Sequence, residues 1–332
     1  KPFQKYLYLM TTPQHHDIVV IGAGIAGSSI ASELLERGQA VCIVDSAPHP
    51  ASACSSHAYA IAHPHVGRGA PRLLRLTRIA FLMAEARWGK SWNQHGIFQP
   101  NKKDKPFNRD DVTSYLRSLD LNEGLAQALD ADAAMQACGI YQDGIWLSRG
   151  ASLNLFEATQ DALVPHPKLT CCWNTFVARL EKVDAGWRLM DSQDKTIMTA
   201  GKVIIAAALE TKRLAASIEV RLPLRPVRGQ LSIFSIDENS SWAPKLPRTA
   251  ISGEGYCLPA KKLSDGTYQW IVGSSFDEGE SDLQDWDASD DFNREQAKGL
   301  LNYPEGDVDQ LQKSGSFVGV RCVAGDRLPI IG

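Results

Sequence analysis

Three glycines and one aspartate near the start of the sequence have the spacing of a phosphate-binding turn. Gly22, Gly24 and Gly27 follow the apolar run 18–21, and Asp45 ends a second apolar run. Gly22 allows a tight turn, Gly24 lets the backbone approach a pyrophosphate, and Gly27 lets a helix pack closely against a strand. The N–H groups at the start of that helix would receive the negative charge. Asp45 would accept a hydrogen bond from a ribose hydroxyl.

The charge of Asp45 narrows the choice of cofactor. A carboxylate at this position would repel the additional phosphate of NADP, which leaves FAD and NAD. A glycine-rich turn without a ligand is the structural alternative, but a preceding strand, a following helix and a closing acid argue against it. A later strand at 203–207 follows short antiparallel strands and ends in small residues. This order favours FAD, because NAD dehydrogenases more often continue as βαβ repeats.

The elements that must position these residues can be predicted from apolar periodicity and turn residues. The first unit is a strand, a helix ending at Gly38 and a second strand. A small-residue loop and a helical region up to Cys138 follow, and then a strand, a turn and a helix in 141–163. Antiparallel strands with a turn at Ala185 and Gly186 come next, and alternating strands with a hairpin turn at Asp265 and Gly266 occupy the chain from Leu222.

These elements predict an α/β protein, in which a Rossmann-like FAD/NAD(P)-binding domain is interleaved with a substrate domain built on a mixed or antiparallel β-sheet. The expected segments are the first part of the FAD-binding domain at 16–80, a helical insertion at 81–140, the second part of the FAD-binding domain at 141–218, the substrate-binding domain at 219–318 and a truncated return to the FAD-binding domain at 319–332.

The composition is that of an ordinary globular protein. The 332 residues carry a net charge of −3 and 22% charged residues, so there is no global basic excess for nucleic acid and any RNA contact must be local. No apolar run approaches the roughly 20 residues of a transmembrane helix, and no signal peptide precedes the fold, so we expect no membrane partner and a cytoplasmic location. The chain begins with Lys1 and stops at "GDRLPIIG", which indicates a fragment.

Cysteine and histidine spacing does not indicate a metal site. The seven cysteines include no CxxC pair, which predicts free thiols rather than a disulfide framework or a zinc site. His63 and His65 lie on either side of Pro64 without a third ligand nearby in the sequence, so we predict that no metal is bound.

Six segments together resemble one family. They are "IGAGIAGSSIASELLERG", "AIAHP", "GIWLSRGASL", "PVRGQLSIF", "GYCLPA…IVGSSFDEGESD" and "VGVRCVAGDRLPIIG", in this order along nearly the whole chain. The chain is similar to the FAD-dependent half of the bifunctional tRNA 5-methylaminomethyl-2-thiouridine biosynthesis proteins (MnmC), within the D-amino-acid and glycine oxidase superfamily. The last segment is the most specific of the six.

The resemblance implies an oxidation on a tRNA wobble uridine. FAD would remove the carboxymethyl group of 5-carboxymethylaminomethyl-(2-thio)uridine and leave the 5-aminomethyl base. In that family an upstream methyltransferase domain, absent from this chain, then uses S-adenosylmethionine. The substrate side chain is an N-substituted glycine, so flavin N5 can take a hydride from the carbon beside the amine, and water can hydrolyse the resulting imine to glyoxylate and the primary amine.

The resemblance also implies individual site residues. Arg321 matches a guanidinium that binds the substrate carboxylate in two places, which suits the planar fork of arginine. Tyr256 matches a tyrosine whose hydroxyl shares that carboxylate. Cys322 does not match the register of covalently attached flavins, so FAD is expected to be non-covalent. The expected cofactor contacts are Gly22, Gly24, Ala26, Gly27, Asp45, Ser55, Ser56, Val177, Ala207, Asp326 and Leu328.

The sequence departs from the family pattern at two positions in the cofactor region. Relatives have "SGN" where this chain has Ser55-Ser56-His57, and they have a glycine where this chain has Leu209.

For tRNA, two basic clusters are candidates. The arginines of the first recur at helical spacing beside the apolar residues Leu73, Leu76, Ala80 and Met83, and "RLPLRPVR" at 221–228 is the second. Each cluster alone is also consistent with a solvent-exposed charged face that does not bind RNA. Two further functions stay open, namely a small-molecule oxidase of the glycine or sarcosine type and a non-catalytic FAD-binding module that docks tRNA. The arginines of the first cluster are Arg68, Arg72, Arg75 and Arg78.

Overall fold

The structure is a computed structural model that describes residues 13–67, 71–102, 105–301 and 311–332. The strands among these residues are β1 Gln14–Ile21, β2 Val41–Val44, β3 Ala60–Ala62, β4 Trp92–Gln94, β5 Ile97–Pro100, β6 Gln127–Leu129, β7 Gly144–Leu147, β8 Ala151–Leu153, β9 Leu169–Cys172, β10 Arg179–Val183, β11 Gly186–Met190, β12 Thr196–Ile205, β13 Leu224–Ile236, β14 Ala250–Gly253, β15 Gly255–Cys257, β16 Lys261–Lys262, β17 Tyr268–Gly273, β18 Asp277–Glu278 and β19 Gln312–Ala324. The helices are α1 Ile25–Glu36, α2 Pro71–Arg87, α3 Arg109–Ser118, α4 Ala131–Cys138, α5 Leu155–Asp161, α6 Glu210–Ala216 and α7 Asp287–Leu301, with short 3-10 helices at Cys54–Ser56 and Ala243–Lys245.

The chain divides into two compact units that alternate along the sequence. Unit 1 comprises the residues up to Ser56, Phe156–Arg225 and Arg321–Gly332, and unit 2 comprises His57–Leu155 and Pro226–Val320. These contact boundaries differ from the predicted functional boundaries at 80, 140 and 218, and the functional division stays a prediction.

Unit 1 is built on a six-stranded sheet in the order β10-β11-β12-β1-β2-β9. The strands β12, β1, β2 and β9 are parallel, and β10 to β12 form an antiparallel extension. Val19, Val20, Cys42 and Ile43 are completely buried. Such continuous apolar runs are typical of parallel strands, which are covered on both faces. The predicted strand, glycine turn, helix and second strand are confirmed.

Helix α1 packs one face against this sheet. Its buried residues, Gly27, Ser28, Ala31 and Leu35, recur every three or four positions, which places them on one side of a helix. The chain leaves the helix at Gly38, which has a φ of +76° that a side-chain-free residue adopts without strain. The helix end predicted at Gly38 is therefore correct.

Unit 2 contains the larger sheet. Its hydrogen-bonded order is β18-β13-β17-β15-β14-β5-β7-β6, with β16 also paired to β17 and β19 to β13, and a separate sheet has the order β3-β8-β4. The pairs are mostly antiparallel, but β14 and β5 are parallel, so the large sheet is mixed. Phe98, Phe234 and Trp270 are completely buried in its core. The predicted mixed sheet and the hairpin turn before β17 are confirmed.

The region predicted as a helical insertion at 81–140 also contains the strands β4, β5 and β6. Each has only three or four residues. That is too short for an alternating pattern to be distinguished from helical periodicity. In the part of the chain that the structure describes, no helix is long and apolar enough to cross a bilayer.

Candidate cofactor and substrate site

The glycine turn of unit 1 depends on the absence of side chains at two positions. Gly22 has a φ of +103°, and a Cβ atom there would overlap the backbone carbonyl of Ala206. A Cβ at Gly27 would overlap the carbonyl oxygen of Gly22 itself. These contacts hold the turn, the start of α1 and the end of β12 together. The predicted roles of Gly22 in the turn and of Gly27 in close packing match this geometry.

The start of α1 presents backbone donors that other residues of the structure do not use. The N–H of Ile25 donates to the Ser55 hydroxyl over 2.9 Å, whereas the N–H groups of Ala26 and Gly27 have no acceptor among the described residues. A Cβ at Gly24 would lie 3.2 Å from Ser55 Oγ, which is closer than an ordinary van der Waals contact, so a side chain there would press on the Ser55 hydroxyl. Free N–H groups at the N-terminus of a twelve-residue helix form an environment suited to a phosphate.

Asp45 lies beside this turn, where the sequence predicts a ribose contact. One carboxylate oxygen accepts the N–H of Ala23 over 2.6 Å, and the other accepts the N–H of Ala47 over 2.9 Å. A carboxylate has about four lone-pair positions, so two remain for another donor. The half-buried side chain is thereby fixed in one orientation next to the glycines.

The two serines before His57 have different roles in the structure. Ser55 accepts the Ile25 N–H, which places its hydroxyl at the start of α1. Ser56 instead donates to the carbonyl of Ala53 over 2.8 Å, within its own 3-10 turn. Of these two predicted cofactor contacts, only Ser55 contacts the helix start.

Val177 and Ala207 are two further predicted cofactor contacts in unit 1. Val177 is buried, and its carbonyl accepts a hydrogen bond from Arg213 over 3.0 Å. Ala207 follows β12 and accepts the N–H of Glu210 over 3.0 Å. The position that adopts a left-handed conformation here is Ala208, with a φ of +47°, and not Leu209, whose φ of −63° suits any residue.

Three predicted residues, Arg321, Asp326 and Leu328, lie in the last part of β19 or just after it. Arg321 is a half-buried residue of the strand. After the strand the chain turns at Arg327, which has a φ of +61°. Asp326 stabilises that turn, because its side chain accepts the N–H of Leu328 over 3.0 Å.

Tyr256 belongs to unit 2 and lies in an aromatic cluster. Its hydroxyl is 3.2 Å from Nε2 of His57 and donates to the carbonyl of Tyr59 over 3.4 Å. The His57 ring stacks on Phe317 with centroids 4.7 Å apart and an angle of 13° between the planes. The sequence identifies His57 only as a departure from the family pattern, because no local signal links it to a tyrosine 199 positions away.

The two basic clusters differ in exposure. Arg68 lies outside the described residues, whereas Arg72 and Arg75 are exposed on α2. Arg78 donates to the carbonyl of Leu119 and pairs with Asp120. The apolar residues predicted beside these arginines are not a buried stripe, because Leu76 is 38% and Met83 67% exposed.

The prediction that the second cluster lies on the surface is wrong for Arg228, which is completely buried. Its guanidinium is 3.8 Å above the Trp286 ring and donates hydrogen bonds to five acceptors. Charge counting along the sequence cannot detect this, since the acceptors lie between 49 and 61 residues away, apart from Gln230. The acceptors are Asp277, Ser289, Gln230 and the carbonyls of Asp282 and Gln284.

Comparison with known sequences gives consistent results. The family model described as FAD dependent oxidoreductase (DAO) matches residues 17–332. The tRNA 5-methylaminomethyl-2-thiouridine biosynthesis bifunctional protein MnmC of Ralstonia nicotianae is 31% identical over 96% of this chain and 49% of that protein. The protein of the same name from Burkholderia pseudomallei is 29% identical over 95% of this chain and 48% of that protein. The chain therefore spans about half the length of these curated relatives.

Solved structures share the fold at lower identity. Glycine oxidase from Geobacillus kaustophilus superposes with a TM-score of 0.71 at 18% identity, over 96% of this chain and 86% of that one. L-proline dehydrogenase from P. horikoshii superposes with a TM-score of 0.75 at 15% identity, over 97% of this chain and 85% of that one. The predicted fold class is confirmed by these similarities.

Proposed function

The chain belongs to the family of FAD-dependent oxidoreductases, and from this premise we propose that it binds FAD at the glycine turn of unit 1. The observation that carries the proposal is that the N–H groups of Ala26 and Gly27, beside the fixed carboxylate of Asp45, have no acceptor among the described residues. A pyrophosphate accepts hydrogen bonds from such donors, and a ribose hydroxyl donates to such a carboxylate. The N–H groups therefore fit the pyrophosphate of FAD, and the Asp45 carboxylate fits a ribose hydroxyl of FAD.

We propose that the reaction is the oxidative removal of the carboxymethyl group from 5-carboxymethylaminomethyl-(2-thio)uridine in tRNA. The names of the relatives at 29–31% identity, which refer to the biosynthesis of 5-methylaminomethyl-2-thiouridine in tRNA, support a tRNA uridine as the substrate. FAD, when bound, supplies the acceptor for the hydride that leaves the carbon beside the amine. The methyltransferase step and its S-adenosylmethionine are proposed for a separate domain of the longer relatives.

The residues of this chain would hold the substrate rather than perform the redox step. Arg321 is proposed to bind the substrate carboxylate through two parallel N–H···O bonds. Tyr256 is proposed, independently, to donate its hydroxyl proton to an acidic group of the substrate. Because the two residues belong to different units, each role is tested separately.

Flavin bleaching with different substrates tests the proposal. The purified chain is loaded with FAD under anaerobic conditions, and the band near roughly 450 nm is followed after addition of tRNA that carries the carboxymethylaminomethyl group. We expect bleaching with this tRNA, none with fully modified tRNA, and release of glyoxylate in equal amount. Bleaching by glycine or sarcosine instead would identify a small-molecule amine oxidase. FAD binding without bleaching by any of them would identify a non-catalytic module.

The Arg321→Lys variant refines this test. Lysine keeps the positive charge but loses the planar fork, so we expect the KM for the modified tRNA to rise at least tenfold while FAD remains bound. An unchanged KM would contradict the role of Arg321.

A further inference from the structure

His57 is held more firmly than its position in a loop requires. Its ring is stacked on Phe317 and meets the Tyr59 ring edge-on, with centroids 6.0 Å apart. Its backbone carbonyl accepts the N–H of Leu155 over 3.0 Å. Backbone and ring are therefore both fixed, and the two ring nitrogens point in defined directions.

The hydrogen bonds of the ring determine which nitrogen carries the proton. The backbone N–H of Tyr59 points at Nδ1 over 3.2 Å. A backbone N–H can only donate, so Nδ1 must offer a lone pair. In the neutral ring the hydrogen is then on Nε2, 3.2 Å from the Tyr256 hydroxyl oxygen. His57 is the donor in this pair, and the tyrosine oxygen is the acceptor.

The proton of the Tyr256 hydroxyl is held much more weakly. It is directed at the carbonyl of Tyr59 over 3.4 Å, whereas O–H···O bonds usually span roughly 2.7–2.8 Å. A phenol oxygen that already accepts a hydrogen bond is a better donor, because successive hydrogen bonds polarise one another. The arrangement fixes the oxygen through His57, while the hydrogen bond from the hydroxyl to the Tyr59 carbonyl is longer than usual.

We propose that His57 is a positioning residue, which holds the Tyr256 oxygen through Nε2–H and so directs the tyrosine proton to the carboxylate of the substrate. This inference rests on the proposed function, since it deepens the role of Tyr256.

Nitrogen-15 NMR of histidine-labelled protein tests the tautomer without any substrate. The His57 signals are assigned by their loss in His57→Phe. We expect a neutral ring protonated at Nε2 at pH 7.5, with an N–H that exchanges slowly with water and becomes fast in Tyr256→Phe. A ring protonated at Nδ1, or a doubly protonated ring, would overturn the proposal even if the enzyme is active.

A double-mutant cycle with the FAD-loaded chain and the modified tRNA tests the consequence. We expect His57→Phe to raise KM roughly five- to tenfold with little change in kcat, as for the loss of one hydrogen bond. In the Tyr256→Phe background the same change should have no further effect, because the oxygen it positions is gone. Additive effects of the two substitutions would contradict positioning through Tyr256.

Two further variants separate positioning from folding. His57→Gln keeps an N–H near the position of Nε2, so it should restore KM to within about threefold of the wild-type value. His166→Phe is the matched control, since its exposed ring also accepts a backbone N–H, from Lys168 over 3.1 Å, in unit 1. It should leave KM unchanged. If the wild-type protein has no turnover but His57 carries its proton on Nε2, the proposed function fails while the tautomer stands.

Discussion

Substitution of the buried Arg228 by alanine should severely destabilise unit 2. Each of the five N–H groups of a guanidinium can be matched with one acceptor here. After truncation, Gln230 Oε1 keeps the N–H of Trp286 and Asp277 keeps the Ser275 hydroxyl. The carbonyls of Asp282 and Gln284 lose the donor from Arg228. Removal of one charged partner from a buried network lowers the free energy of unfolding by about 3–5 kcal/mol. We expect a loss of about 4 kcal/mol for Arg228→Ala.

Urea unfolding followed by circular dichroism measures this change in the free energy of unfolding. The control is Arg37→Ala, because Arg37 pairs with Glu33 on the surface of α1 and its side chain is 72% exposed. An exposed pair of this type contributes about 0.5 kcal/mol or less. Arg228→Lys should fall between the two, since it keeps the charge but cannot reach five acceptors. A loss below about 1 kcal/mol in Arg228→Ala would refute the argument that the network depends on this guanidinium.

Three further predictions concern the glycine turn and a half-buried histidine. Gly27→Ala should abolish FAD binding and lower the melting temperature, because the new methyl group overlaps the Gly22 carbonyl, and retention of FAD at the wild-type affinity would contradict this. Asp45→Asn should weaken FAD binding roughly tenfold in fluorescence titrations, since an amide accepts less strongly than a carboxylate; an unchanged affinity would argue against a ribose contact. Burial lowers the pKa of His63 below its ordinary value of 6.5, although a hydrogen bond to the Pro64 carbonyl opposes the shift. As the pH falls through 6.5, the unfolded chain therefore binds a proton at His63 before the folded chain does. The free energy of unfolding, measured in urea and compared with that of His63→Gln, should then fall by up to about 1.4 kcal/mol for each pH unit below 6.5. Parallel pH profiles of the two proteins would rule out this contribution.

The glycine turn could be predicted from the sequence because its geometry is local. Gly22 and Gly27 are required by the backbone itself, and Asp45 follows at the end of the neighbouring strand. Each signal is a residue type at a fixed distance along the chain. The parallel strands around the turn could be predicted for the same reason, since their continuous apolar runs are buried on both faces.

The helical insertion was only partly predictable. Residues 81–140 do contain helices, but β5 is a central strand of the unit 2 sheet through its pairs with β7 and β14. Its four residues, Ile97–Pro100, carry no periodic pattern of their own. What makes them a strand is pairing with partners as far away as Ala250, which propensity does not encode.

The same distinction explains why the surroundings of Tyr256 and Arg228 are harder to infer than the glycine turn. The glycine turn is encoded by glycines at fixed spacing along one segment. The surroundings of Tyr256 and Arg228 are instead formed by side chains that are far apart in the sequence. His57 and Tyr256 are 199 residues apart, and Arg228 and Ser289 are 61 apart. A substitution in the first region changes the backbone, and its effect can be argued from one segment alone. In the second region the effect depends on partners that only the fold identifies, so coupling between pairs such as His57 and Tyr256 is the measurement that can resolve their roles.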